Sequence, residues 1–393
     1  MQRASPARRR CSGVQASSAG IGEPPFSLRA APSRSTETAK EKDFARALIK
    51  ATYTRAMALA ILGVTGYTGR LVLAEARRAG LEVRLVGRRR EALEELAAPG
   101  EEIRVADARD ESALRDAFEG ASVVASLAGP FLELGLAPVA ATVAAGAHYL
   151  DTTGEQQFVR MVHDRIEAST VVLPAFGFDY VPGDFAARLA AEQMEGPLDE
   201  VVVAYSTSGL GTSRGTRRTV SHVMRQRQVA WEDGRLVDSR FGATTRKVRF
   251  PFGERTVVEW SGTEPLTVPR HTDVRNVRSY IRAPALAAKA GGLGRLTAPL
   301  VQLAARFGPS GPSETSRSKS RFTVVAEARG PGGEGRAVLT GSDVYGLTAL
   351  LIVRGAEALL AGEARATGVV APAEAFDARI FAARLAPLLQ IVE

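Results

Sequence analysis

From residue 57 onward, short apolar runs alternate with longer stretches of mixed polarity. The runs at 58–62, 83–86, 103–106, 123–127, 148–151 and 171–174 have the length and composition of buried strands. Between them, 69–79, 89–97, 110–118, 136–145 and 157–168 read as helices. Asp110 stands where a helix N-cap is wanted, and Gly146 where a helix should stop. Repeated strand–helix alternation predicts an α/β fold: a Rossmann-like, doubly wound parallel sheet covered on both faces.

The pattern changes after about residue 200. A strand is expected at 200–205 and a helix at 214–228. Strand-like runs follow, punctuated by the turn signals Glu232-Asp233-Gly234, Phe252-Gly253-Glu254 and Pro331-Gly332-Gly333. The runs 248–250, 256–260, 274–281, 321–328 and 336–340 predict a mixed or antiparallel sheet. Residues 284–307 pattern as a helix with a weak point at Gly291-Gly292, and 308–320 as a polar loop. Helices return at 345–361 and 372–389, expected to pack back on the first sheet. The expected division is a Rossmann domain at 57–190 completed by 340–393. A second α+β domain, 191–339, is inserted before the C-terminal helices. It reads as a substrate or oligomerisation domain, and exposed sheet there would suit a homodimer.

The formal net charge of +8 would point toward nucleic acid, but its location removes that reading. Residues 1–56 carry 11 Lys and Arg against 4 Asp and Glu, which leaves the rest of the chain nearly neutral. No nucleic-acid partner is expected. The first 56 residues are rich in Arg, Ser, Ala and Pro, and bury too little to offset the entropy of ordering. They read as a disordered or spurious extension, because Met57 directly precedes the first strand. Scarce early acids also fit an organellar transit peptide, and a functional tail is the third reading. The one cysteine, Cys11, excludes an intrachain disulfide and a cysteine-based metal site. It suits a reducing, cytoplasmic compartment. No run of about 18 apolar residues occurs, so no transmembrane segment is expected.

The strongest motif is Gly63-Val64-Thr65-Gly66-Tyr67-Thr68-Gly69, between a predicted strand and a predicted helix. Gly63 permits the tight turn, Gly66 the approach of a pyrophosphate, and Gly69 the close packing of helix on strand. The amides near Tyr67 and Thr68 would face the anion. The second strand ends in Gly87-Arg88-Arg89-Arg90, with no acid to repel a ribose 2′-phosphate. Arg88 or Arg89 would pair with that phosphate, so NADP(H) is expected over NAD(H). Asp107 would either bond the adenine edge or begin a loop. At the end of the fourth strand, Ala128, Gly129 and Pro130 would line the cofactor with backbone, and Phe131 would border the nicotinamide.

These segments resemble the saccharopine dehydrogenase-like oxidoreductase family. The resemblance rests on Gly63–Gly69, Val86–Arg90, Ala106-Asp107-Ala108, Ala128–Phe131, His148–Glu155 and Pro174–Asp184, with later matches at Gly341–Gly346 and Gly368–Pro372. It spans about residues 57–390 and is loose across 200–330. The nearest branch contains trans-acting enoyl reductases. The resemblance implies a Rossmann fold and nicotinamide-dependent chemistry, and leaves the substrate open.

Hydride transfer also calls for a proton donor. None of the seven tyrosines has a lysine four residues on, which excludes the Tyr-x-x-x-Lys device of short-chain dehydrogenases. Polar groups cluster instead in His148-Tyr149-Leu150-Asp151-Thr152-Thr153-Gly154-Glu155 and Gly177-Phe178-Asp179-Tyr180-Val181-Pro182-Gly183-Asp184, at two predicted strand ends. Tyr149 and Tyr180 are candidate proton donors. Asp151, Glu155 and Asp179 are candidates for orienting substrate. Against these, Asp184 reads as a helix N-cap and His148 as a packed strand-edge residue. His163, His222 and His271 share no metal-ligand spacing, and no metal is expected. The arginines of 213–218 and 225–227 would attract an anionic substrate such as a carrier-bound acyl group, or form a solvated helix face. The reading is an NADPH-dependent oxidoreductase reducing an activated C=C bond of a small-molecule, acyl or lipid-like substrate. The alternatives are a saccharopine-type C=N reductase and a non-catalytic NADP(H)-binding sensor.

Overall fold

The computed structural model describes residues 58–209, 211–213, 227–260, 262–282 and 311–393. The expectations for 1–56, for helix 284–307, for most of helix 214–228, for His222 and for the arginines of 214–225 fall outside the described residues.

The first half alternates as its polarity dictates. Its elements are β1 (Ala58–Leu62), α1 (Tyr67–Arg78), β2 (Val83–Gly87), α2 (Arg90–Glu94), β3 (Glu102–Val105), α3 (Glu111–Phe118) and β4 (Ala121–Ser126). There follow α4 (Phe131–Leu134), α5 (Leu136–Ala144), β5 (His148–Asp151), α6 (Gln156–Arg165), β6 (Val171–Leu173) and α7 (Val181–Ala191). β1 is apolar throughout because both its faces are covered. Leu59 and Ile61 pack with Val72, Leu73 and Ala76 on one side. Ala60 and Leu62 pack with Leu114, Phe118 and Ala141 on the other.

The second half comprises β7 (Leu198–Ser208), β8 (Gln228–Glu232), β9 (Arg235–Ser239), β10 (Thr245–Phe250), β11 (Gly253–Glu259), α8 (Glu264–His271) and β12 (Val274–Ile281). After these come α9 (Glu314–Lys319), β13 (Arg321–Gly330), β14 (Gly333–Ser342), α10 (Val344–Leu360), β15 (Gly368–Val369), α11 (Pro372–Ala375), α12 (Ala378–Ala383) and β16 (Leu389–Ile391).

Seven strands form a parallel sheet in the order β15-β6-β5-β4-β1-β2-β3. The order reverses between β1 and β4, where a doubly wound sheet opens its binding crevice. The other strands form a mixed sheet around β7, which pairs parallel with β12 and antiparallel with β13. α7 leaves the first sheet and packs on β7, β13 and β14 of the second. One continuous apolar core therefore runs from Leu59 to Leu339.

Three local expectations are corrected. Residues 314–319 are helical because the Ser313 hydroxyl accepts from the Ser316 amide and starts a turn. The single helix expected over 372–389 is two short ones, broken at the extended Phe376 and restarted by the Asp377 cap. Its last residues join the second sheet, where Leu389 pairs with Gly341. Asp184 is not the cap of α7, a position held by Tyr180. Its buried carboxylate accepts from the Ala373 amide at 2.8 Å and meets His271 Nε2 at 3.1 Å. Burial opposes its ionisation, but His271 and these hydrogen bonds win and hold its carboxyl below the usual value.

Asp184→Ala would leave the Ala373 amide and the His271 ring without their acceptor. The expected loss is about 2–4 kcal/mol of stability, read from urea unfolding midpoints.

Candidate dinucleotide site

The glycine turn is built as its spacing requires. Gly63 has φ +82, and a Cβ there would lie 3.0 Å from the Leu127 carbonyl carbon and 3.1 Å from the Ala128 amide nitrogen. The turn thus abuts the end of β4 across the crevice. A Cβ on Gly69 would collide with the Gly63 carbonyl oxygen and come within 2.7 Å of Val64 Cα. Gly66 differs: it is exposed, and a Cβ there would meet only the Gly63 oxygen, at 3.2 Å. α1 has no side-chain cap and no acid in its first turn. Its first amides are therefore left without side-chain acceptors at the positive end of the helix dipole, beside the exposed Gly66, which suits a dinucleotide pyrophosphate. Thr65, Tyr67 and Thr68 flank it.

At the end of β2, Arg88 and Arg89 are exposed. Arg88 stands 3.9 Å from an Asp107 carboxylate oxygen. Asp107 also accepts from the Arg109 amide at 2.9 Å, so of its two expected roles the loop-starting one is observed. At the end of β4, Leu127 donates to Leu62, tying the crevice shut below Ala128 and Gly129. The Phe131 ring packs in a cluster with Val139, Tyr149 and Phe158, and its edge lies against Gly129, where a Cβ would come within 3.3 Å of it. What holds the Pro130–Leu132 segment is Glu155, whose carboxylate accepts from the Phe131 and Leu132 amides at 2.8 and 3.1 Å.

Of the five candidate catalytic residues, four are enclosed, Glu155 among them. Tyr149 is fully buried in the same apolar cluster as Phe131. Asp151 is fully buried, and one oxygen accepts from the Thr153 and Ala175 amides, both at 2.8 Å. Burial pushes its carboxyl up to about 7. Its other oxygen shares a sealed polar spot with Ser126 Oγ and the Tyr149 hydroxyl, none of the three well aligned for a hydrogen bond. Tyr180 is buried, its ring stacked on Trp260 at 6.1 Å. Asp179 is the exception. Its side chain reaches solvent, yet protein crowds it closely enough to push its carboxyl up to about 6.

Beside it lies a network that no motif announced. Tyr205 donates to Glu264 Oε1 at 2.5 Å, and Ser279 donates to Glu264 Oε2 at 2.6 Å. Burial pushes the Glu264 carboxyl up to about 7. The only signals in the sequence were Gly183 and Gly262, at both of which a Cβ would collide with Glu264.

A family model for NAD(P)H-binding domains matches residues 63–162. The trans-acting enoyl reductase of Mycobacterium ulcerans (strain Agy99) is 32% identical over 217 residues, 50% of this chain and 51% of its own. That of Mycobacterium bovis (strain BCG / Pasteur 1173P2) is 31% identical over 205 residues, 48% and 49%. The chain thus spans about half the length of the curated relatives it matches. Among solved structures, saccharopine dehydrogenase (L-Glu forming) from Saccharomyces cerevisiae superposes with TM-score 0.57 at 13% identity, covering 86% of this chain and 100% of that one. Turn, crevice and strand order define a Rossmann-type NAD(P)-binding protein. More narrowly, the chain shares the fold of saccharopine dehydrogenase and, over about half its length, is similar in sequence to trans-acting enoyl reductases.

Two glycine substitutions should separate binding from folding. Gly66→Val puts its side chain into solvent where the pyrophosphate would lie, so nucleotide binding is lost while stability falls by only about 1 kcal/mol. Gly69→Val strikes backbone and should cost about 3 kcal/mol or more. Thermal melts paired with NADPH fluorescence titrations check both outcomes.

Proposed function

We propose that this protein is an NADPH-dependent oxidoreductase that reduces an activated C=C bond of an acyl or lipid-like substrate. The observation that carries the reading is the uncapped glycine turn facing the end of β4, with Arg88 at the end of β2. The kinship to trans-acting enoyl reductases supports the bond type. We assign the cofactor to 57–190 with 340–393 and the substrate to 191–339, a division that the second sheet crosses at β14 and β16. No helix among the described residues is long and apolar enough to cross a membrane.

The nicotinamide, when bound, supplies the hydride. The chain holds the proton. Asp179 is the one candidate acid with access to solvent, and a carboxyl near 6 is still partly protonated at neutral pH. Asp151, Tyr149 and Tyr180 act as support: Asp151 fixes the loops after β5 and β6, and the two tyrosines pack beneath and beside them. The fold shared with saccharopine dehydrogenase favours C=N reduction as the second reading. A sensor would bind NADPH and oxidise none of it in the presence of enoyl, enone or imine substrates.

For cofactor choice, Arg88→Asp should weaken NADPH far more than NADH, because a charge-assisted pair becomes a repulsion. Asp107→Asn removes the carboxylate that competes for Arg88 and should tighten NADPH alone. Equal changes for both cofactors would remove Arg88 from the 2′-phosphate site.

For catalysis, a general acid must be protonated, so kcat should fall as pH rises through about 6, the value of Asp179. Asp179→Asn should lower kcat by roughly 100-fold or more and abolish that limb of the profile. An unchanged profile would exclude Asp179.

A further inference from the structure

The glycine turn does not stand alone. A segment from the second half of the chain, beginning at Gly311 and Pro312, lies against Tyr67 at its edge. The Tyr67 hydroxyl, on the first residue of α1, donates to the Pro312 carbonyl at 2.6 Å. Gly311 is pressed against the Tyr67 ring so closely that a Cβ would enter it. On its other edge the Tyr67 ring meets Tyr345 in a T-shaped contact at 5.1 Å, and the Tyr345 hydroxyl accepts from the Ser213 amide at 2.7 Å. Residues 311–312 and the start of α10 therefore meet at Tyr67, with 211–213 packed behind them against Pro312 and Tyr345, while its neighbour Gly66 stays exposed.

The same segment carries a cation to this place. Arg317, on α9, bonds an Asp343 carboxylate oxygen at 3.1 Å, and its side chain is only 14% exposed. Asp343 is itself committed: its other oxygen caps α10 by accepting from the Gly346 amide at 2.9 Å, with its backbone held at φ 47. Burial raises the Tyr67 phenol, and Arg317 lies close enough to oppose that rise. The guanidinium is therefore held beside Asp343, two residues before the Tyr345 ring that meets Tyr67, and among the described residues Asp343 is its side-chain partner. The cation that the turn itself provides, Arg70, is bent back toward the Thr65 carbonyl at 3.3 Å.

We propose that Arg317 is a phosphate-binding residue of the dinucleotide site, brought to the edge of the glycine turn by residues 311–320 to pair with the pyrophosphate. This rests on the reading of the turn as the NADP(H) site and deepens it: the anion would be held by α1 amides from one side and by a guanidinium from the other half of the chain on the other. A planar fork of five N–H groups suits a diphosphate better than an ammonium would.

The test is equilibrium titration of the full chain with NADPH, ADP-ribose and AMP, alongside thermal melts. Arg317→Gln should weaken NADPH and ADP-ribose, which carry the pyrophosphate, by roughly 10-fold or more. AMP should change by less than about 3-fold. Asp343→Asn keeps a side chain able to cap α10 but removes the charge that competes for Arg317, so it should hold or tighten NADPH. A merely structural ion pair predicts the opposite, with both variants weakening NADPH alike, and that result would overturn the proposal. So would an Arg317→Gln protein that binds all three ligands as the parent does. Should Arg317→Gln fail to fold, Asp343→Asn decides alone: unchanged or tighter binding supports the proposal, weaker binding overturns it. A parent chain that binds no dinucleotide would overturn the site reading as well, whereas parent binding with an indifferent Arg317 would overturn this proposal alone.

Discussion

The close approach of the first helix to the first strand governs the cleft. With no side chain on Gly69, α1 rests on the backbone of Gly63 and Val64. That contact points the uncapped end of α1 at the crevice between β1 and β4, where the strand order reverses. A helix seated even one methyl further out would swing its first amides away from the crevice. The polar devices around the site, from Arg88 to Glu155, presuppose this seating. Glu155 spends both carboxylate oxygens holding the β4 end in place, and Arg88 gains a role only if a ribose reaches it.

Where the two sheets meet, the chain buries two carboxylates close together in ways that contrast. Asp184 has a histidine and a backbone amide as partners, and its carboxyl is held low. Glu264 has hydroxyl donors from Tyr205 and Ser279, and burial prevails. At Asp184 the His271 ring and the hydrogen bonds outweigh burial, whereas at Glu264 the neutral hydroxyl donors do not. The pH consequences are opposite in sign. Stability from Asp184 is present above the unfolded carboxyl value and lost on acidification through its lowered folded value. Protonated Glu264 favours folding at acid pH, a contribution lost as pH climbs from the unfolded value of 4.5 to about 7.

The nucleotide half was legible because its determinants are local. Glycines at fixed spacing and a strand apolar on both faces each report on their own few residues. The catalytic candidates were not legible in the same way. Tyr149 and Asp151 sit at a strand end, as the pattern implied, but strand position does not tell which face is sealed by Phe131 and Phe158. Asp179 and Tyr180 are adjacent in sequence, yet one reaches solvent and the other stacks on Trp260, whose position depends on the second sheet. Glu264 and Arg317 gained their roles from contacts across 59 and 26 residues of chain, to Tyr205 and Asp343, and no local pattern encodes such a contact. The short helix at 314–319 was hidden because its composition of Ser, Thr and charged residues reads as loop until the Ser313 cap is considered.

The seventh strand of the parallel sheet has a consequence for how the molecule is made. β15 is only Gly368 and Val369, but it closes the outer edge of β6. Nearby, α10 packs on β4 and β5, with Gly355 against Phe176 and Leu150. Residues 58–173, though nearly a complete Rossmann unit, therefore emerge from the ribosome with an unpaired edge and a bare apolar face. Both stay open until almost two hundred further residues have been synthesised, at a few residues to a few tens of residues per second. For that interval the nascent chain is a sticky, unfinished sheet. It would lean on chaperones during synthesis, and its nucleotide half would mature only after the second sheet has been laid down between its two parts.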